Sequence, residues 1–347
     1  ITKLYNDTQY YIQLKNSSIT GHDIHTSPVI GIDLGTSNSS VGYYRLNASN
    51  IGKIEIISDD GITSFPSMVC IINKVVYFGE EAINKSTKSP KNFIYDTKRM
   101  LGRKYDDPLI KKYCKHWTFD TVNGKNGEIL IKIDNELIEP YKISGMILIE
   151  LMKIANSHLN DQTNKAIITI PAYFTKEQIE DTKRAIDYVK IELIDLIKEP
   201  ISASISYGYH LNATPNKKDV LIYDFGGGTL DVSYVEIIGN SFNILATAGD
   251  SELGGQDFTN SIYEIISPKI DEMCKNNWNK NTQFVTKIRK QCERAKINLS
   301  SNNKCSIYFE IQNDLLNLET NSEEGAIDNL INQIPKYDKS QYSFFTK

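Results

Sequence analysis

The chain has 347 residues and a formal net charge of -4, from 39 Lys plus Arg against 43 Asp plus Glu. Hydrophobic residues make up 40% and charged residues 24%, which excludes a wholly disordered or a collagen-like chain. The length exceeds one average domain of about 150 residues and suits two or more.

No basic excess points to nucleic acid and no acidic block to a solvating tail. No uncharged apolar window reaches the roughly 18 residues of a membrane span. Cys70, Cys114, Cys274, Cys292 and Cys305 lie far apart without a Cys-x-x-Cys, so neither a disulfide framework nor a zinc site is expected.

Residues 1–28 are polar and aperiodic, and they read as a tail or linker. The sequence begins at Ile1 rather than Met, which suggests a processed form or a fragment. Order is expected from Val29, where an apolar run ends at Asp33-Leu34-Gly35. Runs at 41–44 and 53–57 follow, and their tight Gly/Asn spacing suggests an antiparallel meander. Residues 59–140 mix short strands with a helical stretch over about 95–103. Ile143, Met146, Ile147, Leu151, Ile154 and Ala155 share one face of a helix over 141–159, widened by Leu148, Ile149 and Met152.

Lys165-Ala-Ile-Ile-Thr-Ile170 reads as a buried strand stopped by Pro171. Thr175 with Gln178 forms a capping box before the next helix. A strand over 193–197 and a helix over about 202–210 follow. Residues 211–218 read as a linker carrying the main boundary. Beyond it the chain repeats itself without a gap. Val29-Ile-Gly-Ile-Asp33-Leu-Gly35 and Val41-Gly-Tyr43 align on Val220-Leu-Ile-Tyr-Asp224-Phe-Gly226 and Val232-Ser-Tyr234. Both copies read as strand, Asp-x-Gly turn, strand, which suggests two similar lobes.

The two turns carry the chemistry. A glycine after a strand lets backbone approach a ligand, and successive N–H groups form an anion nest. Gly35, Thr36, Ser37 and Asn38 supply backbone donors and two hydroxyls; Gly226, Gly227, Gly228 and Thr229 supply three glycines and a hydroxyl. Asp33 and Asp224 at the strand ends would hold a hydrated cation against phosphates. The blander alternative is a pair of ordinary hairpins. The matched pair, each with an Asp at its strand end, favours a polyphosphate grip.

These motifs resemble the actin, sugar-kinase and 70-kDa heat-shock protein superfamily, with the closest match to the heat-shock branch. Ile32-Asp-Leu-Gly-Thr-Ser-Asn38 resembles its first phosphate motif and Asp224-Phe-Gly-Gly-Gly-Thr-Leu-Asp231 its second. Tyr95-Asp-Thr-Lys-Arg-Met-Leu-Gly102, Ile170-Pro-Ala-Tyr-Phe174, Glu199-Pro200, Ala248-Gly-Asp250, Leu253-Gly-Gly-Gln-Asp-Phe258 and Cys292-Glu-Arg-Ala-Lys296 fall in family order, so the resemblance covers roughly residues 29–305. It implies an α/β fold, the actin-like (ribonuclease-H-like) two-lobed ATPase fold. Lobe I would span 29–212 and lobe II 213–347, the latter incomplete.

It also implies ATP/ADP, Mg2+ and a potassium ion as cofactors, with slow ATP hydrolysis coupled to lobe closure. Lys98 would position the attacking water, Glu199 would sit in the metal-water network, and Thr229 would cap the γ-phosphate. Asp231 would help hold the monovalent cation, and Pro171 would act as a switch between nucleotide states. Glu293, Lys296 and Ser300, on one face of a late helix, would contact ribose and adenine; without the resemblance they read as a solvated face.

Ile297 stands where the family usually has an arginine stacking on adenine. No Gly-Gly-Ser adenine loop is recognisable, and Gln333-Ile334-Pro335-Lys336 is a poor echo of it. No peptide-binding domain is recognisable in this sequence either, so no direct peptide client binding is expected of this chain. Nucleotide-exchange factors and J-domain co-chaperones are the implied partners.

Gly52-Lys-Ile-Glu-Ile-Ile57, Ser67-Met-Val69 and Lys296-Ile-Asn-Leu-Ser300 are most similar to the microsomal stress-70 ATPase core. That branch implies the endoplasmic reticulum lumen; otherwise the cytoplasm is expected. A polar insertion is expected to start within 311–330. The alternative function is a nucleotide-sensing pseudo-ATPase or co-chaperone-binding module, with a sugar kinase as a distant third.

Overall fold

The computed structural model describes residues 28–46, 52–159, 162–210, 217–238, 241–274 and 278–309. The chain divides into two compact units that join between Gly255 and Gln256. The expected tail over 1–27, most of the linker over 211–218 and everything from 310 onward lie outside the described residues.

The first unit is built on a six-stranded mixed sheet. Its main path runs β12 (Glu192–Lys198), β11 (Lys165–Ile170), β1 (Ile30–Asp33), β2 (Asn38–Leu46) and β3 (Gly52–Ile56), with β4 (Phe65–Pro66) pairing on β2. The antiparallel meander expected at the start of the chain is present as β1–β2–β3. It extends into a parallel block, because β1 also pairs in parallel with β11 and β11 with β12. A strand inside such a block has both faces covered, which is why Lys165-Ala-Ile-Ile-Thr-Ile170 reads as a nearly continuous apolar run.

Two smaller three-stranded sheets fill out the region between β4 and β11. One has the order β6 (Val75–Phe78), β5 (Val69–Ile72), β7 (Phe93–Ile94), and the other β10 (Glu136–Ile138), β9 (Ile129–Ile133), β8 (Asp120–Asn123). Helices α1 (Gly79–Ser86), α2 (Thr97–Met100) and α3 (Pro108–Tyr113) lie between these strands. The expected helix over about 95–103 is reduced to the four residues of α2. Asp96 at φ 59° and Gly102 at φ +65° both sit in the left-handed region, which a right-handed helix cannot include.

Helix α4 (Pro140–Leu159) buries Ile143, Ile147, Leu148, Leu151, Met152 and Ala155, as its spacing anticipates. Ile149 departs from that expectation and is exposed. It follows Leu148 by about 100° around the helix and so turns off the buried stripe. Helix α4 packs on α5 (Lys176–Tyr188), which opens with both halves of the capping box between Thr175 and Gln178. Helix α6 (Glu199–His210) begins three residues earlier than its apolar pattern suggests, so Glu199 lies in its first turn.

The repeat is real in structure. β13 (Lys218–Phe225) and β14 (Leu230–Ile238) form a second strand–turn–strand, extended by β15 (Ser241–Asp250) into an antiparallel sheet.

The second unit contains α7 (Gly255–Met273) and α8 (Thr282–Leu299), linked through a 3-10 turn at Trp278–Lys280. Ile262, Ile266 and Ile270 of α7 and Phe284, Ile288, Cys292 and Ala295 of α8 form its core. All five cysteines are free thiols, as their spacing implies. Among the described residues no helix is long and apolar enough to cross a membrane.

Thr175→Ala removes the hydroxyl that accepts from the Gln178 N–H. We expect a loss of about 1 kcal/mol from an N-cap of this kind. Chemical denaturation of the wild type and the variant measures it, and an unchanged midpoint would show that the cap is energetically silent.

Candidate functional site

Strand β1 ends at Asp33, and the first turn runs directly into β2 at Asn38. Parallel pairing of Ile32 with Ile168 brings Thr169 alongside Asp33, and the Thr169 hydroxyl donates to Asp33 Oδ1 at 2.7 Å. Thr169 is the one hydroxyl in an otherwise apolar strand interior, a signal legible in the sequence though not assigned there.

The second turn closes with the Gly226 N–H donating to the Thr229 carbonyl at 2.9 Å. The two turns are apposed. A side chain on Gly227 would overlap Ser37, and a Cβ on Gly228 would lie 2.8 Å from the Thr36 methyl. Glycine is required here because one turn packs directly on the other. The candidate phosphate binders Gly35, Thr36, Ser37, Asn38, Gly226, Gly227, Gly228 and Thr229 are thus brought together in the first unit.

The same unit assembles the charged groups. Lys98 on α2 donates to Glu199 Oε1 at 2.7 Å, and the two side chains are only 11% and 16% exposed. Burial alone would pull the Lys98 pKa down. The negative charges of Glu199, Asp33 and Asp224, with the Glu199 hydrogen bond, outweigh burial and hold it above the ordinary lysine value. Burial raises the Glu199 pKa, Lys98 opposes that, and Asp33 and Asp224 reinforce it, with a net upward shift.

Asp224 and Asp231 are register partners across the β13–β14 ladder. Like charges directly opposite repel. Burial, Asp231 and Asp33 together push the Asp224 pKa up against the pull of Lys98. In the gap-free repeat Asp231 falls opposite Ser40, so only the second turn carries this carboxylate pair.

Burial also raises Asp231, partly offset by hydrogen bonds from Thr229 and Tyr173 and by Lys98. The Thr229 hydroxyl donates to Asp231 Oδ2 at 2.8 Å and the Tyr173 hydroxyl to the same oxygen at 3.4 Å. Tyr173 is pushed up to about 12, mainly by burial. Tyr173, Glu199, Pro200, Asp224 and Asp231 line one small pocket. Pro171 follows β11 directly, two residues before Tyr173.

Asp33, Glu199, Asp224 and Asp231 set four carboxylates against the ammonium of Lys98. This donor set suits a cation that keeps its own water shell. Among the described residues no group of three or more His, Cys, Asp or Glu side chains is arranged to hold a metal ion.

The adenosine candidates lie in the second unit, on α8 and its C-terminal cap. Glu293 Oε2 accepts from Lys296 Nζ at 2.7 Å and from the Thr259 hydroxyl at 2.5 Å. Ser300 donates back to the Lys296 carbonyl at 3.4 Å. Ile297 is 58% exposed, so it is not a core residue. Gln333-Ile334-Pro335-Lys336 and the expected insertion over 311–330 lie outside the described residues.

A family model described as Hsp70 protein matches residues 29–332. The heat shock cognate 70 kDa protein 3 of Dictyostelium discoideum is 35% identical over 312 residues, covering 88% of this chain and 49% of that protein. A mitochondrial-type heat shock protein 70 of Encephalitozoon hellem is 36% identical over 276 residues, covering 80% and 45%. A heat shock 70 kDa protein of Emericella nidulans is 35% identical over 288 residues, covering 82% and 44%. The chain spans about half the length of the curated relatives it matches.

The carboxylate cluster has a measurable cost. The folded-state pKa of Asp224 lies above its reference value of 3.8, so the native state holds this proton more tightly than the unfolded chain. Ionising Asp224 therefore costs stability, from the reference pKa upward through the raised folded value. Asp224→Asn removes that cost. In divalent-free buffer the variant should melt above the wild type at pH 7 and lose its advantage as pH falls below about 4. A lower Tm than wild type at pH 7 would contradict the charge balance described.

Proposed function

The chain belongs to the Hsp70 family, and on that premise we propose that it binds Mg-ATP at the two apposed turns and hydrolyses it slowly to ADP and phosphate. The chain has the actin-like ATPase fold of an Hsp70 nucleotide-binding domain. The observation that carries the reading is the buried Lys98–Glu199 pair beside two turns close enough for glycine to be required at their contact.

The backbone N–H groups of Gly35, Thr36, Ser37 and Asn38 and of Gly226, Gly227, Gly228 and Thr229 would hold phosphate oxygens. Lys98, kept protonated by its acidic neighbours, would orient the attacking water, and the Thr229 hydroxyl would cap the γ-phosphate. Glu199, with its raised pKa, would accept a hydrogen bond from that water or from the metal's shell and act as general base. Asp33 and Asp224 would hold the Mg2+ through its waters, and Asp231 would serve a potassium ion. When bound, Mg2+ supplies neutralisation of charge on the transferring phosphoryl group.

The chain's partners would be J-domain co-chaperones and nucleotide-exchange factors, and hydrolysis would be coupled to closure of two lobes, 29–212 and 213–347. A finer placement nearest the microsomal stress-70 core, and with it the endoplasmic reticulum lumen, rests on Gly52-Lys-Ile-Glu-Ile-Ile57, Lys296-Ile-Asn-Leu-Ser300 and the missing arginine at Ile297.

Single-turnover hydrolysis tests the chemistry. Lys98→Ala should lower the rate on the order of 10²-fold or more while leaving Mg-ATP affinity nearly unchanged. Because the variant leaves Glu199 without its cation, a thermal melt must show that it remains folded at the assay temperature. A wild-type rate in a folded variant rejects the role.

The adenine side has its own test. An arginine at 297 could lay a planar guanidinium on the base, where isoleucine offers apolar contact only. A cation over a ring is worth about 0.5–2 kcal/mol. Ile297→Arg should tighten ATP and ADP binding alike by roughly three- to thirtyfold in calorimetric titration. Its exposure leads us to expect an unaltered melting temperature. Unchanged affinity in a stable variant moves the adenine site elsewhere.

A further inference from the structure

Arg99 follows Lys98 on the four-residue helix α2 and is itself 7% exposed. Its guanidinium donates through one terminal nitrogen to the Gly228 carbonyl at 2.8 Å and through the other to the Ser251 carbonyl at 3.5 Å. The group lies on the face of the buried Tyr113 ring, 3.9 Å from its centroid. The Tyr113 hydroxyl donates to the same Ser251 carbonyl at 3.4 Å, and Lys112 pairs with Glu252. Consecutive residues of one short helix thus face two ways, Lys98 toward Glu199 and Arg99 toward the backbone of the second phosphate turn.

We propose that Arg99 is a positioning residue that fixes the Gly228–Thr229 peptide and ties its orientation to Lys98. The inference rests on the ATPase reading above and adds to it a mechanical link. Peptide units are planar, and the described residues contain no cis bond. In a trans peptide the C=O and N–H point in opposite directions. An arginine that holds the Gly228 carbonyl therefore turns the Thr229 N–H away from itself, toward the side where the phosphate cradle is proposed. Gly228 has no side chain to fix its own dihedrals, so this orientation depends on an external partner.

A helix of four residues is equally unable to hold itself. Its other anchors include the Lys98–Glu199 pair, the Trp117 indole donating to Asp96 Oδ2 at 3.2 Å and the Ser144 hydroxyl donating to Thr97 at 3.3 Å. A shift of the turn on Arg99 is accordingly a shift of Lys98. Lysine at 99 would keep the charge. It would lose the planar fork that reaches two carbonyls while stacking on Tyr113.

The test uses the full chain with Arg99→Lys and, independently, Tyr113→Leu, which takes away the platform but leaves the guanidinium. Single-turnover hydrolysis of Mg-ATP should fall roughly 10- to 100-fold in Arg99→Lys, with the Kd for Mg-ATP within about threefold of wild type. Amide exchange at Gly226 and Gly255, whose N–H groups donate to the Thr229 and Gly226 carbonyls, should accelerate about tenfold or more while β1 and β11 keep their protection. Tyr113→Leu should show the same split at smaller size, and it decides the matter if Arg99→Lys does not fold.

A merely structural arginine would instead lower the Tm, raise exchange throughout the unit, and move rate and affinity together. That pattern, or wild-type hydrolysis in a folded Arg99→Lys, overturns the inference. A wild-type chain that hydrolyses nothing overturns the ATPase reading instead. The exchange measurement then still decides whether Arg99 holds the turn.

Discussion

Lys98 is set among Asp33, Glu199 and Asp224, and it sits 2.7 Å from the largely buried Glu199 carboxylate. Two charges taken out of water are expensive, and their attraction repays the cost only when the geometry is good. The pair joins residues 101 positions apart, one on a four-residue helix and one in the first turn of α6. Removing either partner would strand a buried charge. The pair therefore ties α2 to α6, and Lys98 feels both strand-end aspartates there.

The second constraint is steric. Two β-hairpin turns meet so closely that Gly227 and Gly228 face Ser37 and Thr36 without room for a side chain. This contact makes a single cradle from two copies of one motif. The copies are not equivalent. The second turn carries Asp231 opposite Asp224, where the first carries Ser40 opposite Asp33. The extra carboxylate raises the negative charge on one side of the cradle and gives the Thr229 hydroxyl an acceptor. The duplicated pattern thus builds the cradle, and the deviation between copies differentiates its two sides.

How much of this is legible in the sequence depends on how local the cause is. The Thr175–Gln178 capping box, the buried strand Lys165–Ile170 and the strand–turn–strand repeat follow from spacing within a few residues, and they stand in the structure. The parallel pairing of β1 with β11 joins segments more than a hundred residues apart, so local spacing carries no trace of it. The facing of Asp224 and Asp231 needs the hairpin register as well as the residues. The length of α2 turns on the left-handed backbone of Asp96, a conformation that no periodicity announces. Arg99 and Tyr173 lie within recognised motifs, yet their partners are a backbone carbonyl and a carboxylate set by the tertiary fold.

The carboxylate cluster carries a cost in the folded chain. Burial raises Glu199, Asp224 and Asp231, and neighbouring carboxylates add to it at Glu199 and Asp224, so each of the three is harder to ionise in the folded chain than in water. A bound cation would relieve that strain and bring phosphate oxygens against backbone donors. Binding to the native state alone stabilises it, by about 2.7 kcal/mol at a hundredfold excess over Kd. On the proposed function, the charge that costs the folded chain stability is the same charge that makes Mg-ATP a folding ligand for the turns and α2.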